Sequence, residues 1–316
     1  KFRCRKSIGG GRVNYIMSTK IAVLMGGPSS ERDVSLKTGK AMLSACKTLG
    51  YKTIPIEFED DVLSHIDALK RVDIVLIALH GGMGENGQIQ GMFESIGIRY
   101  TGSNALSSAM SMDKHISKLL AEDVGIKTPK WKRIRKGQLV DKKDFEYPCV
   151  VKANSQGSTI GLTIVQDENS FDAALIDAFK YDNEILIEKY ISGREITVSI
   201  VGNEILPIIE IIPKHNLYDY ECKYTEGMTE YICPAVLDEG LTKKIQETAL
   251  NVYKLLKCRH YGRVDFRLDH NNLHWFLELN TLPGMTDTSL VPKAAKTSGI
   301  SFEDLIDSII QQALAK

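Results

Sequence analysis

The chain has 316 residues, 43% of them apolar, and single cores stop growing near ~250 to 300 residues, so two or three units are expected. Its 40 basic and 40 acidic residues cancel, so no global field draws it to nucleic acid or to an anionic membrane, and any phosphate binding must be local. The six cysteines (Cys4, Cys46, Cys149, Cys222, Cys233, Cys258) form no C-x-x-C pair and no apolar run nears the ~20 residues of a membrane span, which sets aside zinc knuckles, dithiol redox sites and a membrane role and predicts a cytoplasmic protein with reduced thiols.

Residues 1–16 are basic and glycine-rich and precede Met17, the expected native start; they are expected to be an extension or remnant outside the fold. Apolar runs at Ile21–Met25, Thr53–Phe58 and Ile74–Leu79 then alternate with helical patterns, which predicts a doubly wound parallel sheet of the α/β class. Two of these strands end in glycine-rich turns, Gly26-Gly27-Pro28-Ser29-Ser30-Glu31 and His80-Gly81-Gly82-Met83-Gly84-Glu85, at the carboxyl ends where such sheets bind ligands. A helix is predicted over 105–122, followed by short strands around Cys149–Lys152 and Ile185–Glu188 in a small second unit. Beyond Glu195 come strands at Ile196–Ile200 and Ile205–Ile212 and a polar loop over 216–228. A helix with Leu241, Ile245, Val252 and Leu256 near helical spacing follows, and the last helix opens at Ser301 with Asp304 three residues on.

Near the C-terminus Arg263, Asp265 and Arg267 alternate with Val264, Phe266 and Leu268, and in His274–Asn280 the residues Phe276, Glu278 and Asn280 are expected to share a face opposite Trp275, Leu277 and Leu279. A turn centred on Asn271-Asn272 pairs residues whose numbers sum to 543, which sets Asp265 across from Glu278 and Arg263 across from Asn280. Like charges directly opposite are destabilising, so the pair needs a cation, and a hard oxygen set of Asp, Glu and Asn suits Mg2+. Magnesium also takes substrate phosphates as ligands, which points to a nucleotide. Taken alone, the hairpin fits a solvated sheet face with surface ion pairs better than even. The turn Thr281-Leu282-Pro283-Gly284-Met285-Thr286 and the helix entered through Ser289-Leu290-Val291-Pro292 shift the weight towards a site, since the turn's glycine allows close backbone approach and the helix can present free N–H groups to a carboxylate.

Lys152 ends an apolar strand and precedes the small-residue loop Asn154-Ser155-Gln156-Gly157-Ser158-Thr159-Ile160-Gly161, of the kind that folds over phosphates. Alone, a strand-end lysine is usually a snorkelling surface residue. No G-x-x-x-x-G-K-[ST] and no strand-following G-x-G-x-x-G occurs, which disfavours P-loop NTPases and standard dinucleotide enzymes.

Taken together, Gly26–Ser35, Ala78-Leu79-His80-Gly81, Gly84-Glu85-Asn86-Gly87, Tyr100–Ser103, Ser111-Met112-Asp113-Lys114, Leu186-Ile187-Glu188-Lys189, Tyr218–Tyr224, Gly262–Asp265 and Leu277–Thr286 resemble the D-alanine-D-alanine ligase family of the ATP-grasp superfamily, in matching order from about Lys20 to the C-terminus. The resemblance implies an ATP-grasp fold: an N-terminal Rossmann-like domain over 17–103, a central subdomain over 104–189 and an α+β C-terminal subdomain with the metal site over 190–316. ATP would lie between the last two. Lys114 and Lys152 would bind phosphate, Glu188 and Lys189 would sit at the adenine hinge, and Glu195 would take the ribose hydroxyls. Asp265, Glu278 and Asn280 would hold two Mg2+ ions, with Mn2+ as a substitute and Glu278 bridging. The loop Ala153-Asn154-Ser155-Gln156 departs from the Pro-Ser-Arg-Glu type familiar in this family.

By the same resemblance, the carboxylate of one D-alanine attacks the ATP γ-phosphate and the amine of a second displaces phosphate from the acyl phosphate, in peptidoglycan precursor synthesis. Glu31 would bind the first ammonium with His80 nearby; Arg263 and the Gly284 N–H would stabilise the oxyanion; Ser289 and the Leu290 N–H would hold the second substrate's carboxylate, and Lys223 would bind substrate. Ser158 and Tyr224 would tie the mobile loops to Glu31, and tyrosine at 224 goes with D-alanine as acceptor. A homodimer is also implied. Two alternatives stay open: a D-alanine-D-lactate type ligase on the same fold, and an inactive nucleotide-binding module.

Overall fold

The computed structural model describes residues 18–214, 225 and 227–315. The first layer is a parallel sheet of β1 (Lys20–Gly26), β2 (Lys52–Phe58) and β3 (Ile74–Ile77) in the order β2-β1-β3, as the alternating pattern predicts. β1 and β3 are apolar on both faces because both faces are covered, and Ile21, Val23, Ile74 and Val75 are fully buried. Burying each such side chain contributes roughly 1.5–3 kcal/mol. Helix α1 (Arg32–Thr48) packs on β1; α2 (Ile66–Leu69) and α3 (Gln88–Ser95) follow in the connections.

The expected single helix over 105–122 is two helices, α4 (Ala105–Met112) and α5 (Lys114–Asp123). Asp113 divides them: its backbone is extended, and its carboxylate accepts a hydrogen bond from the Ile116 N–H, so it caps the second helix. Lys114, the first residue after the break, is buried.

The second sheet is antiparallel, with β4 (Trp131–Arg135), β5 (Cys149–Ala153), β6 (Leu162–Val165) and β7 (Glu184–Lys189) in the order β4-β7-β5-β6. Its core, including Ile134, Val151, Phe171 and Ile187, is closed by α6 (Glu168–Ala178), capped by the Asp167 carboxylate.

The third sheet comprises β8 (Arg194–Val201), β9 (Glu204–Ile205), β10 (Ile209–Pro213), β11 (Thr229–Ile232), β12 (Tyr261–Leu268) and β13 (His274–Asn280), ordered β11-β10-β8-β12-β13 with β9 beside β8. The strand expected over Ile205–Ile212 is broken at 206–208, where Pro207 has no N–H to give the ladder. Helix α7 (Glu239–Leu255) covers one face through Ile245, Ala249 and Val252. Helices α8 (Leu290–Thr297) and α9 (Phe302–Leu314) return to the first layer, where the Tyr51 hydroxyl donates to Asp307 at 2.5 Å. Ser301 caps α9 by accepting from the Asp304 N–H, as its spacing predicts.

The hairpin carries both a success and a correction. Asp265 pairs with Glu278 and Arg263 with Asn280, as expected, but Leu268 pairs with His274, so the turn is a wider loop than Asn271-Asn272. A bulge beside Phe266 restores the register. Phe276 therefore faces the core with Phe266 and Leu279, not the charged face with Glu278 and Asn280. No helix among the described residues is long and apolar enough to cross a membrane.

Candidate active site

The turn after β1 places Glu31 at the start of α1, nearly buried, where its carboxylate accepts a hydrogen bond from the Ser158 hydroxyl of the second sheet's loop. The turn after β3 brings His80 beside it, with Nε2 2.9 Å from Thr38 Oγ1 and Nδ1 3.6 Å from Glu85. Gly81 is required between them: its φ is +66°, and a Cβ there would stand 2.5 Å from Ser29 Oγ and 3.0 Å from the Glu31 carboxylate. On the far wall, Ser289 precedes α8 and its hydroxyl accepts from the Thr286 N–H at 3.0 Å, which folds Gly284 and Thr286 around the helix start. Glu31, His80, Ser158, Arg263, Gly284, Ser289 and Leu290 all line one cavity of about 550 Å³. Lys223 and Tyr224 lie outside the described residues.

A second cavity, of about 140 Å³, opens between the second and third sheets and is lined by Lys114, Lys152, Glu188, Lys189, Glu195, Arg263, Asp265 and Glu278 among others. Glu188 on β7 is held between two cations, Lys152 at 2.9 Å and Lys118 at 2.9 Å. Burial pushes its carboxyl up, but the two ammoniums outweigh that and hold it below the ordinary glutamate range. Lys189 turns its ammonium to Glu146 at 3.0 Å near the surface, and Glu195 faces Arg267 across β8 and β12. The loop residues that depart from the familiar sequence are anchors. Asn154 accepts from the His115 N–H, Gln156 donates to the Tyr181 carbonyl, and the Gln156 carbonyl accepts from Lys114 at 2.6 Å.

The two cavities share Gly157, Arg263 and Glu278. Arg263 grips Asp265 through two hydrogen bonds of 2.9 and 2.7 Å, Thr197 and Asn280 donate to the same carboxylate, and Glu278 pairs with Lys114 at 3.0 Å. Asp265, Glu278 and Asn280 thus converge with every carboxylate balanced by a side-chain cation. These oxygen donors would suit a magnesium ion completed by phosphate oxygens, which would neutralise charge that Lys114 and Arg263 balance here. Among the described residues, no group of three or more His, Cys, Asp or Glu side chains is placed to hold a metal ion. The described cysteines are free thiols, and burial pushes Cys46 up to about 12 and Cys149 up to about 11, which makes both inert.

The family described as D-ala D-ala ligase C-terminus matches residues 120–311, and D-ala D-ala ligase N-terminus matches 58–103. The D-alanine–D-alanine ligase of Aquifex aeolicus (strain VF5) is 42% identical over 292 residues, which span 92% of this chain and 99% of that protein. The chain belongs to the D-alanine–D-alanine ligase family. Among solved structures, the Bacillus anthracis D-alanine–D-alanine ligase complexed with ATP superposes with a TM-score of 0.84 at 38% identity, covering 94% of this chain and 98% of that one. The VanG D-Ala:D-Ser ligase of Enterococcus faecalis superposes with a TM-score of 0.82 at 30% identity, covering 93% and 99%. The fold is the ATP-grasp fold expected from the sequence, its parallel sheet followed by two antiparallel ones.

Within this D-alanine–D-alanine ligase scaffold, the described residues singled out in the sequence fall on the two joined cavities. Sequence reading missed Lys118, Thr197 and the role of Glu85. Lys118 follows Lys114 by one helical turn, a spacing that places both on one face, and this was the available signal. For Thr197, in an apolar strand, the sequence held none.

Proposed function

We propose that the chain joins two D-alanine molecules to D-alanyl-D-alanine at the expense of ATP, through an acyl phosphate, for peptidoglycan precursors. The observation that carries this reading is the meeting, at Arg263, Glu278 and Gly157, of a cavity lined by Glu31, His80 and Ser289 with a lysine-lined cavity. A carboxylate is a poor acyl donor at neutral pH, so a site that forms an amide must first bring a carboxylate and a phosphoryl group together. Lys114 and Lys152 hold the phosphates, Glu188 and Lys189 border the adenine, and Glu195 takes the ribose. Glu31, with His80, binds the first ammonium and turns that carboxylate to the shared boundary. Arg263 and the Gly284 N–H receive the oxyanion when the second amine attacks. The start of α8, with Ser289 and the Leu290 N–H, holds the acceptor's carboxylate, and Lys223 binds substrate. Two Mg2+ ions, or Mn2+ in their place, held by Asp265, Glu278 and Asn280, supply charge neutralisation for the phosphates.

The working units are 17–103, 104–189 and 190–316. The need for ATP and the free thiols support a cytoplasmic setting, and the family likeness supports a homodimer. Phosphate release from ATP tests the reading. It should depend on D-alanine and match dipeptide one to one; release indifferent to D-alanine, or none, would favour a nucleotide-binding module. Likeness to a D-Ala:D-Ser ligase makes the acceptor a separate question. In competition at pH 7, D-alanine should be used ahead of D-serine and D-lactate, and preferential use of either overturns the role given to Tyr224.

A further inference from the structure

Lys118 lies on α5 one turn after Lys114, but its side chain is fully buried and does not border either cavity. Its ammonium is 2.9 Å from one Glu188 oxygen and 5.1 Å from the centroid of the Trp131 ring. The other oxygen of the same carboxylate is 2.9 Å from Lys152, which does border the nucleotide cavity. The group therefore carries two cations on one anion, a net charge of plus one. Burying a lysine is costly, and an apolar side chain of equal size would fill the space better. That cost is visible in its pKa, pushed down to about 8 chiefly by burial. An apolar residue would instead leave Lys152 as the single counterion of a fully buried carboxylate. The group would then be neutral, and an incoming phosphate would compete with Glu188 for the Lys152 ammonium.

We infer that Lys118 is a positioning residue that balances Glu188 from inside the fold and so leaves Lys152 free to hold the nucleotide's phosphates. The inference rests on the assignment of Lys152 to phosphate made above.

Calorimetric titration of the full chain with Mg2+-ADP and with adenosine tests it, because only ADP carries phosphate. Lys118→Met should weaken ADP roughly ten-fold, the scale of one charged hydrogen bond, and leave adenosine within about two-fold. Lys118→Arg, which keeps the charge and can stack on Trp131, should bind ADP nearly as the parent does. Equal weakening of ADP and adenosine would mean that Lys118 only shapes the pocket; unchanged ADP affinity in folded Lys118→Met would overturn the inference outright. Lys118→Gln carries the same comparison should the methionine variant not fold. Lys152→Met is the control: parental ADP affinity there defeats the assignment of Lys152 itself, whereas weak binding there with normal binding in Lys118→Met defeats this inference alone.

Discussion

Glu278 stands across a strand pair from Asp265 and 3.0 Å from Lys114, so its charge is matched before any ion arrives. Glu278→Gln removes that charge from a partly exposed face. Unfolding temperature should barely change, while Mg2+-dependent turnover falls at least about a hundred-fold, since metal placement is worth several kcal/mol. Near-normal turnover in that variant would refute the metal assignment. Lys118 makes a pH prediction of definite sign. Its folded value, about 8, lies below the ordinary 10.5, so the folded chain binds fewer protons than the unfolded one between these values. The stability this contributes is present above 10.5 and is lost as pH falls through 8. Thermal unfolding should therefore show the parent gaining on Lys118→Met as pH rises from 8 towards 10.5; a constant difference across that window would count against the buried charge.

At the scale of elements, Asp113 is the joint that aims α5. Asp113→Ala should cost about 0.5–2 kcal/mol of stability as the cap is lost, and should raise the KM for ATP by loosening Lys114, with the KM for D-alanine little changed. Equal change in both constants would show a general loosening instead. The same residue marks the limit of reading from sequence. No glycine or proline interrupts 105–122, and only the capping geometry of Asp113 divides it. The hairpin is similar: the charged face of β12 was legible because β12 alternates regularly, whereas the bulge that turns Phe276 inward leaves no mark in a one-strand pattern. The facing of Asp265 and Glu278 survived because the wider turn and the bulge shift the register in opposite senses. Family motifs made the site legible, and Lys118 stayed hidden because a buried lysine looks like any other helix lysine.

Across the whole molecule, the bond from Ser158 to Glu31 joins the second sheet's loop to the first layer, and both residues line the larger cavity. An acyl phosphate exposed to water is hydrolysed, so closure protects the intermediate. Ser158→Ala should lower turnover and raise phosphate released per dipeptide above one; a ratio that stays at one would show that closure does not depend on this bond. In the proposed reaction the first D-alanine is activated through its own carboxylate oxygen. The direct measurement uses D-alanine labelled with oxygen-18 in the carboxylate, incubated with ATP and Mg2+, followed by mass analysis of the phosphate released. Attack by the carboxylate on the γ-phosphate and displacement by the second amine leave one labelled oxygen on each phosphate for each dipeptide formed. Unlabelled phosphate released alongside dipeptide would mean that the carboxylate oxygen does not attack the γ-phosphate.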